Sequence, residues 1–330
     1  MTVRINSRGK KSEIKKLKGI VFGGAGFLGS HVADALDDAG YSVIVYDKKA
    51  SAYLRESQKM IVADILDEKM VESAISGCDI VYNFAGIADI LEVSKNPLES
   101  VKANILGNSI ILEGCRKAKV KRFIYASSLY VYSKTGSFYR STKQACELLT
   151  ENYHEVFGLP YTILRYGSLY GPRADGNNFI HKILKQALNE KKIVRDGDGE
   201  EIREYIHVVD AAKGSVEILD NEFKNQHVII TGNQQMKVKE LLLMIREMLD
   251  NSIEVEYKES TATSHYEITP YTFIPKIAKR IVHKTYLDLG QGLLHLIHDF
   301  YREASLHQAG NDSAVKKVNR HKTRKHYLRK

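Results

Sequence analysis

Apolar residues fall in short, nearly unbroken runs over the first half of the chain. Residues 19–22, 42–46, 60–63, 80–84, 122–126 and 161–165 are rich in Val, Ile, Phe and Tyr, several without a polar interruption. Strands buried on both faces read this way, because alternation appears only where one face meets water. Between these runs the spacing becomes helical. Cys146, Leu149, Tyr153 and Val156 keep a three-to-four-residue interval that stops at Gly158, ahead of Pro160. Strands alternating with helices predict right-handed βαβ units around a parallel sheet. Beyond residue 175 the pattern loosens into a helix at 177–191, strands at 193–195 and 227–231, and helices at 237–249 and 289–304. The expected architecture is α/β: a doubly wound parallel sheet over 18–175 and a smaller, mostly substrate-binding lobe over 176–308.

Charge alters this picture only at the ends. Of the formal net charge of +9 over 330 residues, residues 1–18 carry +6 and residues 314–330 carry +8, leaving −5 for residues 19–313. Such ends bury too little apolar surface to offset ordering, so 1–17 and 309–330 are expected to be flexible basic extensions. Nucleic acid is expected as a partner only through these tails, where Tyr327 is the lone base-stacking aromatic. The densest apolar run, 241–245, is far short of the ~18 residues of a membrane span, and the first 18 residues hold no apolar signal core. Cys78, Cys115 and Cys146 stand in no metal-ligand spacing and are too few for a disulfide framework. A cytoplasmic protein without a metal is expected.

The first chemical motif is Gly23-Gly24-Ala25-Gly26-Phe27-Leu28-Gly29, between the first strand and a helix running to Gly40. Glycines permit a tight turn and a close approach to a pyrophosphate, whose charge meets the amides at the helix start. Asp47 ends the next strand 18 residues after Gly29, near the offset of an acid that bonds a ribose 2′-OH. Its carboxylate would repel a 2′-phosphate, which favours NAD over NADP; Lys48 and Lys49 soften that preference.

The second is a tyrosine with a lysine four residues on. A phenol ionises near pH 10 and needs a cation to serve as a base near neutrality. Of 19 tyrosines, two have lysine at i+4: Tyr130 with Lys134, and Tyr139 with Lys143. The first lies in a strand-to-turn segment; the second opens the amphipathic helix, where i and i+4 share a face. Ser127 and Ser128 end the preceding buried strand, where open α/β sheets bind ligands.

Together with Asp64-Ile65, Asn83-Phe84-Ala85-Gly86, Asn104 and the run 164–173, these motifs resemble the extended short-chain dehydrogenase/reductase family over residues 18–215. Within it the chain is most similar to the nucleotide-sugar epimerase/dehydratase enzymes, with a Rossmann-type domain. The resemblance implies a tightly held NAD, oxidation of a sugar hydroxyl at C4, Tyr139 as acid/base, and Lys143 lowering its pKa while holding the nicotinamide ribose. It also implies Ser128 on the reacting oxygen. Gly23, Gly26, Phe27, Leu28, Gly29 and Asp47 would bind the cofactor with Asp64, Ile65, Ala85, Gly86 and Asn104. The substrate would be a nucleotide sugar, and the chain a homodimer pairing helices near 97–117 and 139–157.

Departures from that family narrow the chemistry. Leu129 and Tyr130 stand where a dehydratase carries two acids, which disfavours elimination, and a decarboxylase needing Glu there. The connection from Tyr132 to Tyr139 is short, and Gly167-Ser168 replaces a Phe-Asn pair that meets the diphosphate. Arg203 is the expected phosphate ligand, Arg173 a second candidate, and Asn178 is expected to present backbone to the base. Tyr266 and Tyr271 are possible pocket residues, while His295 and His298 read as packing. Epimerisation at C4 is the expected outcome. The alternatives are a 4-dehydrogenase releasing the keto sugar, a reductase of a non-sugar ketone, and a non-catalytic nucleotide-sensing scaffold.

Overall fold

A computed structural model describes residues 16–259, 279–280 and 287–303. The basic ends, Tyr266 and Tyr271 lie outside the described residues. The first six strands are β1 (Lys18–Phe22), β2 (Ser42–Asp47), β3 (Lys59–Val62), β4 (Ile80–Asn83), β5 (Arg122–Ser128) and β6 (Tyr161–Tyr166). Every residue of β4, β5 and β6 is buried, which is why their sequences show no alternation. The intervening helices are α1 (Phe27–Asp38), α2 (Glu68–Ile75), α3 (Ile90–Lys95), α4 (Pro97–Ser100), α5 (Gly107–Ala118) and α6 (Ser137–Phe157). Residues Val101–Leu106 form a π-helical turn between α4 and α5.

After β7 (Ser168–Tyr170) come α7 (Phe179–Glu190), β8 (Lys192–Asp196), β9 (Ile202–His207) and α8 (Val208–Glu217). β10 (Gln226–Ile230), β11 (Gln235–Lys237), α9 (Val238–Met248), β12 (Glu254–Lys258) and β13 (Lys279–Arg280) follow. Residues 289–303 are helical. Among the described residues the main sheet has eight parallel strands in the order β13-β10-β6-β5-β4-β1-β2-β3. The chain leaves β1 in one direction and resumes at β4 in the other, so the strand order reverses between them. At such a reversal the flanking loops diverge and leave a crevice at the carboxyl ends of the strands.

Two apolar layers sandwich the sheet. Val32, Ala33 and Leu36 of α1 and Ala211 and Ala212 of α8 cover one face. Ile75 of α2, Ile111 and Leu112 of α5 and Cys146 of α6 cover the other. A third core, built on Leu184, Leu241, Leu242, Ile245, Leu293 and Leu296, holds the lobe together. The lobe contributes two small sheets, β11-β9-β7 and β12-β8. Its first pass ends at His207; the chain then returns to the main sheet through α8 and β10 before β11 re-enters the lobe. No helix among the described residues is long and apolar enough to cross a membrane.

Candidate active site

The glycine loop is closed by main-chain contacts. Gly23 has φ +74°, and its amide donates to the Tyr46 carbonyl at 2.9 Å. A Cβ there would lie 2.6 Å from the Ala85 amide nitrogen, and one on Gly29 would lie 2.2 Å from the Gly23 carbonyl oxygen. Side chains at either position would drive the loop and α1 apart. Gly26 caps α1 without a side-chain bond, and the first turn, Phe27-Leu28-Gly29, holds no acid. Its amides and the positive end of the helix dipole are available to an anion. Asp47 Oδ2 accepts from the Ala25 amide at 3.1 Å, which fixes the carboxylate beside the same loop.

The opposite wall is Ala85-Gly86. The Ala85 amide donates to Asn83 Oδ1 at 3.0 Å, and Gly86, at φ +138°, passes so close to Asn104 that a Cβ would lie 2.6 Å from Oδ1. Asn104 sits in the π-helical turn. Its Oδ1 accepts from the Ile87 amide at 2.7 Å, and its Nδ2 donates to the Ile87 carbonyl and to Thr142 Oγ1, both at 3.1 Å. It therefore ties the Gly86 loop to α6 from behind. Asp64, exposed, accepts from Tyr46 Oη through its carbonyl at 2.8 Å, and Ile65 packs where a Cβ on Gly107 would be. Gly23, Gly29, Asp47, Ala85 and Gly86 thus frame one crevice at the strand reversal, a cradle suited to a dinucleotide.

Ser128, Tyr139 and Lys143 are all nearly buried, and Tyr130 and Ala126 link the end of β5 to the start of α6 around them. The Tyr130 amide donates to Ser128 Oγ at 3.3 Å, leaving the hydroxyl proton for another acceptor. The Tyr130 ring stands edge-on to Tyr139, with centroids 5.8 Å apart. Gly136, at φ +98°, makes room for it: a Cβ there would lie 2.7 Å from Tyr130 Cδ1. Ile90 and Val93 of α3 close the other side of Tyr139. Lys143 Nζ donates to the Ala126 carbonyl at 2.7 Å and lies 5.8 Å from the centre of the Tyr139 ring. Burial pushes its ammonium down to about 8. A cation so poised stabilises a phenolate beside it.

Behind this pair lies a buried network that spacing alone did not reveal. Ser127 Oγ donates to Glu147 Oε1 at 2.5 Å, and Arg165 forks onto Glu147 with Nε at 2.9 Å and Nη2 at 2.6 Å. Arg165 Nη1 also donates to Tyr132 Oη. The network joins the end of β5, which carries Ser128, to α6, which carries Tyr139 and Lys143. Burial alone would lower the Arg165 guanidinium; the fork on Glu147 outweighs it.

On the lobe side, Arg203 lies buried on β9, its Nη1 donating to the Ile202 carbonyl at 2.9 Å. Asn178 caps α7: its Oδ1 accepts from the His181 amide at 3.2 Å and its Nδ2 donates to the Leu169 carbonyl at 2.8 Å. Arg173 turns the other way. Its Nη2 donates to Asp34 Oδ2 on α1 at 2.7 Å, and its guanidinium stacks 4.6 Å from the Tyr53 ring centre, so it braces α1. Gly167 has a packing reason, since a Cβ there would lie 2.6 Å from Thr231 Oγ1. The two residues after Ser128 are Leu129, fully buried, and Tyr130, so no carboxylate stands there. Among the described residues no cluster of three His, Cys, Asp or Glu residues could hold a metal.

A sequence profile of the NAD dependent epimerase/dehydratase family matches residues 20–231. A putative UDP-glucose 4-epimerase of Methanocaldococcus jannaschii is 29% identical over 304 residues, covering 84% of this chain and 97% of that protein. UDP-glucuronic acid decarboxylase 1 of Arabidopsis thaliana is 26% identical over 313 residues, covering 87% of this chain and 70% of that protein. The UDP-glucose 4-epimerase of Thermotoga maritima, solved with UDP-glucose, superposes with a TM-score of 0.76 at 26% identity, covering 87% of this chain and 100% of that one. UDP-glucuronic acid 4-epimerase of Bacillus cereus, solved with UDP-glucuronic acid and NAD, gives a TM-score of 0.72 at 26% identity, covering 84% and 97%.

Proposed function

The chain belongs to the NAD-dependent epimerase/dehydratase family, and from that premise we propose that it is a 4-epimerase of a UDP-sugar. One observation carries the choice of reaction. Lys143 lies beside the Tyr139 ring, while the two positions after Ser128 are a buried leucine and a tyrosine packed on Tyr139. Proton transfer at a hydroxyl has its groups; elimination of water has no carboxylate beside them. The relatives solved with UDP-glucose and UDP-glucuronic acid support the substrate class.

The cradle fits a dinucleotide. The α1 amides after Gly26 would meet the pyrophosphate, Asp47 the adenosine ribose, and Ala85-Gly86 would line the path to the nicotinamide. Bound NAD supplies reversible hydride acceptance from the sugar carbon. Tyr139, as phenolate, takes the C4 hydroxyl proton and returns it when the sugar is reduced on its other face. Lys143 keeps its charge beside that oxygen and would help hold the nicotinamide ribose. Ser128 accepts from the Tyr130 amide and keeps its hydroxyl proton to donate to the reacting oxygen. Arg203 holds the diphosphate from the lobe, and Asn178 sets the start of α7 where the base would lie.

The chain acts as a homodimer through the faces of α4, α5 and α6. Leu98 is 76% exposed and Leu148 53%, and Val101 and Leu106 are exposed as well, which suits a second copy. The three cysteines are buried and unpaired, in keeping with a reducing cytoplasm.

The test is to assay the purified protein for bound NAD and for interconversion of UDP-glucose and UDP-galactose, and of the corresponding glucuronate pair. Catalytic interconversion without accumulation of NADH is expected. Stoichiometric NADH with a keto sugar would replace epimerase by dehydrogenase. A protein that shows no titratable NAD binding would overturn the reading altogether.

A further inference from the structure

Lys143 is a buried ammonium with an unusual set of neighbours. The acid that faces it, Glu147 one turn along α6, has both oxygens engaged by Ser127 and Arg165, so its charge is already matched. The remaining groups around the Nζ are the Ala126 carbonyl at 2.7 Å, the Tyr139 ring at 5.8 Å, the Cys146 thiol and the Tyr125 ring. Tyr125, on β5, brings its ring centre to 5.0 Å from Nζ, closer than Tyr139 does. A cation over an aromatic ring within about 6 Å is attracted to its negative face, most strongly when both are out of water.

The ring is also held in place. Tyr125 is 2% exposed, and its phenol lies against the Cys146 sulfur, which in turn donates to the Asn104 carbonyl at 3.2 Å. That carbonyl belongs to the π-helical turn whose side chain grips the Gly86 loop. The orientation of Tyr125 is therefore fixed from three elements: β5, α6 and the π-helical turn.

We infer that Tyr125 is a positioning residue for the reaction, its ring face serving as the partner that keeps the Lys143 ammonium charged and aimed at Tyr139. The inference rests on the reading of Tyr139 and Lys143 as the acid/base pair. Aromaticity at 125 is the property that matters, and the hydroxyl serves to hold the ring. Loss of the ring lowers the affinity of Lys143 for its proton. Tyr139 then ionises with less help, and turnover near neutral pH falls while turnover at higher pH recovers.

Three substitutions in the NAD-loaded enzyme test this: Tyr125→Phe, Tyr125→Phe carrying ring fluorines, and Tyr125→Leu. The fluorinated ring keeps shape and burial but loses its negative face, so it reports even if the leucine variant fails to fold. The first readout is the tyrosinate absorbance of Tyr139, obtained by subtracting the titration of the same protein with Tyr139→Phe; it needs no substrate. Tyr125→Phe is expected to keep the wild-type midpoint, and the fluorinated variant to raise it by about one pH unit, a roughly tenfold change in the proton equilibrium. The second is the pH profile of kcat, with a deficit of about tenfold at pH 7 that shrinks toward pH 9.

Equal midpoints in the phenylalanine and fluorinated proteins, with any loss of kcat the same at every pH, would overturn the inference and leave Tyr125 a packing residue. Absence of turnover in the wild type, with the tyrosinate shift present, would refute the proposed reaction and spare the inference.

Discussion

The two sides of the crevice reach their geometry by different means. On the β1–α1 side it is set by missing side chains: Gly23 and Gly29 let main chain approach main chain, with partners within the same βαβ unit or the adjoining β4 end. On the β5–α6 side it is set by side chains that meet from afar. Ser127, Tyr132, Glu147 and Arg165 come from four elements and share one buried charge pair. The first kind of site fails by crowding and the second by an uncompensated charge. Crowding is local, whereas a stranded charge is felt by everything packed around it.

That contrast can be broken most severely at Glu147. Glu147→Gln leaves Arg165 buried without its counter-charge, and should cost about 3–5 kcal/mol of stability, read as a fall in the urea midpoint. Tyr139→Phe should leave that midpoint and NAD retention intact while kcat drops by roughly 10²–10⁴-fold; an unchanged kcat would remove Tyr139 from the reaction. Gly29→Ala should act on the other side of the crevice only, weakening NAD binding by about 10²-fold as the Cβ pushes α1 from the loop, measured by calorimetric titration. The smallest effect belongs to the lobe. Arg203→Ala should raise KM for the UDP-sugar by about tenfold with kcat nearly kept, and an unaltered KM would place the diphosphate elsewhere.

The same contrast explains what could be read from the sequence. The strands β1, β2, β4, β5 and β6 were visible because burial on both faces leaves a nearly unbroken apolar run, and β3, at the sheet edge and only partly buried, because its residues are still mostly apolar. The glycine loop and the Tyr139–Lys143 spacing were visible because their partners are close in sequence. The short strands β7, β9, β11 and β12 were not, since each gains its identity from pairing across the lobe. Arg173 stood as a second phosphate candidate after Arg203, and its partner Asp34 lies 139 residues away, out of reach of any local pattern. The Glu147–Arg165 network and the ring of Tyr125 under Lys143 carry no local signature at all. The π-helical turn at 101–106 looked like ordinary helix, its extra residue showing only in how Asn104 is turned toward Ile87.

The return of the chain from the lobe to the main sheet bears on how such a protein can be re-engineered. β10 pairs with β6 over residues Gln226–Ile230, and α8 lies on α1. A fragment ending at residue 175 would lose this strand and expose the edge of β6, an open row of amides and carbonyls inviting aggregation. Among the described residues the lobe is built from three segments, after β6, after β10 and after β13, the last being the helix at 289–303. Grafting another sugar preference onto this scaffold therefore calls for exchanging all three segments together, with α8 and β10 left in place as the frame.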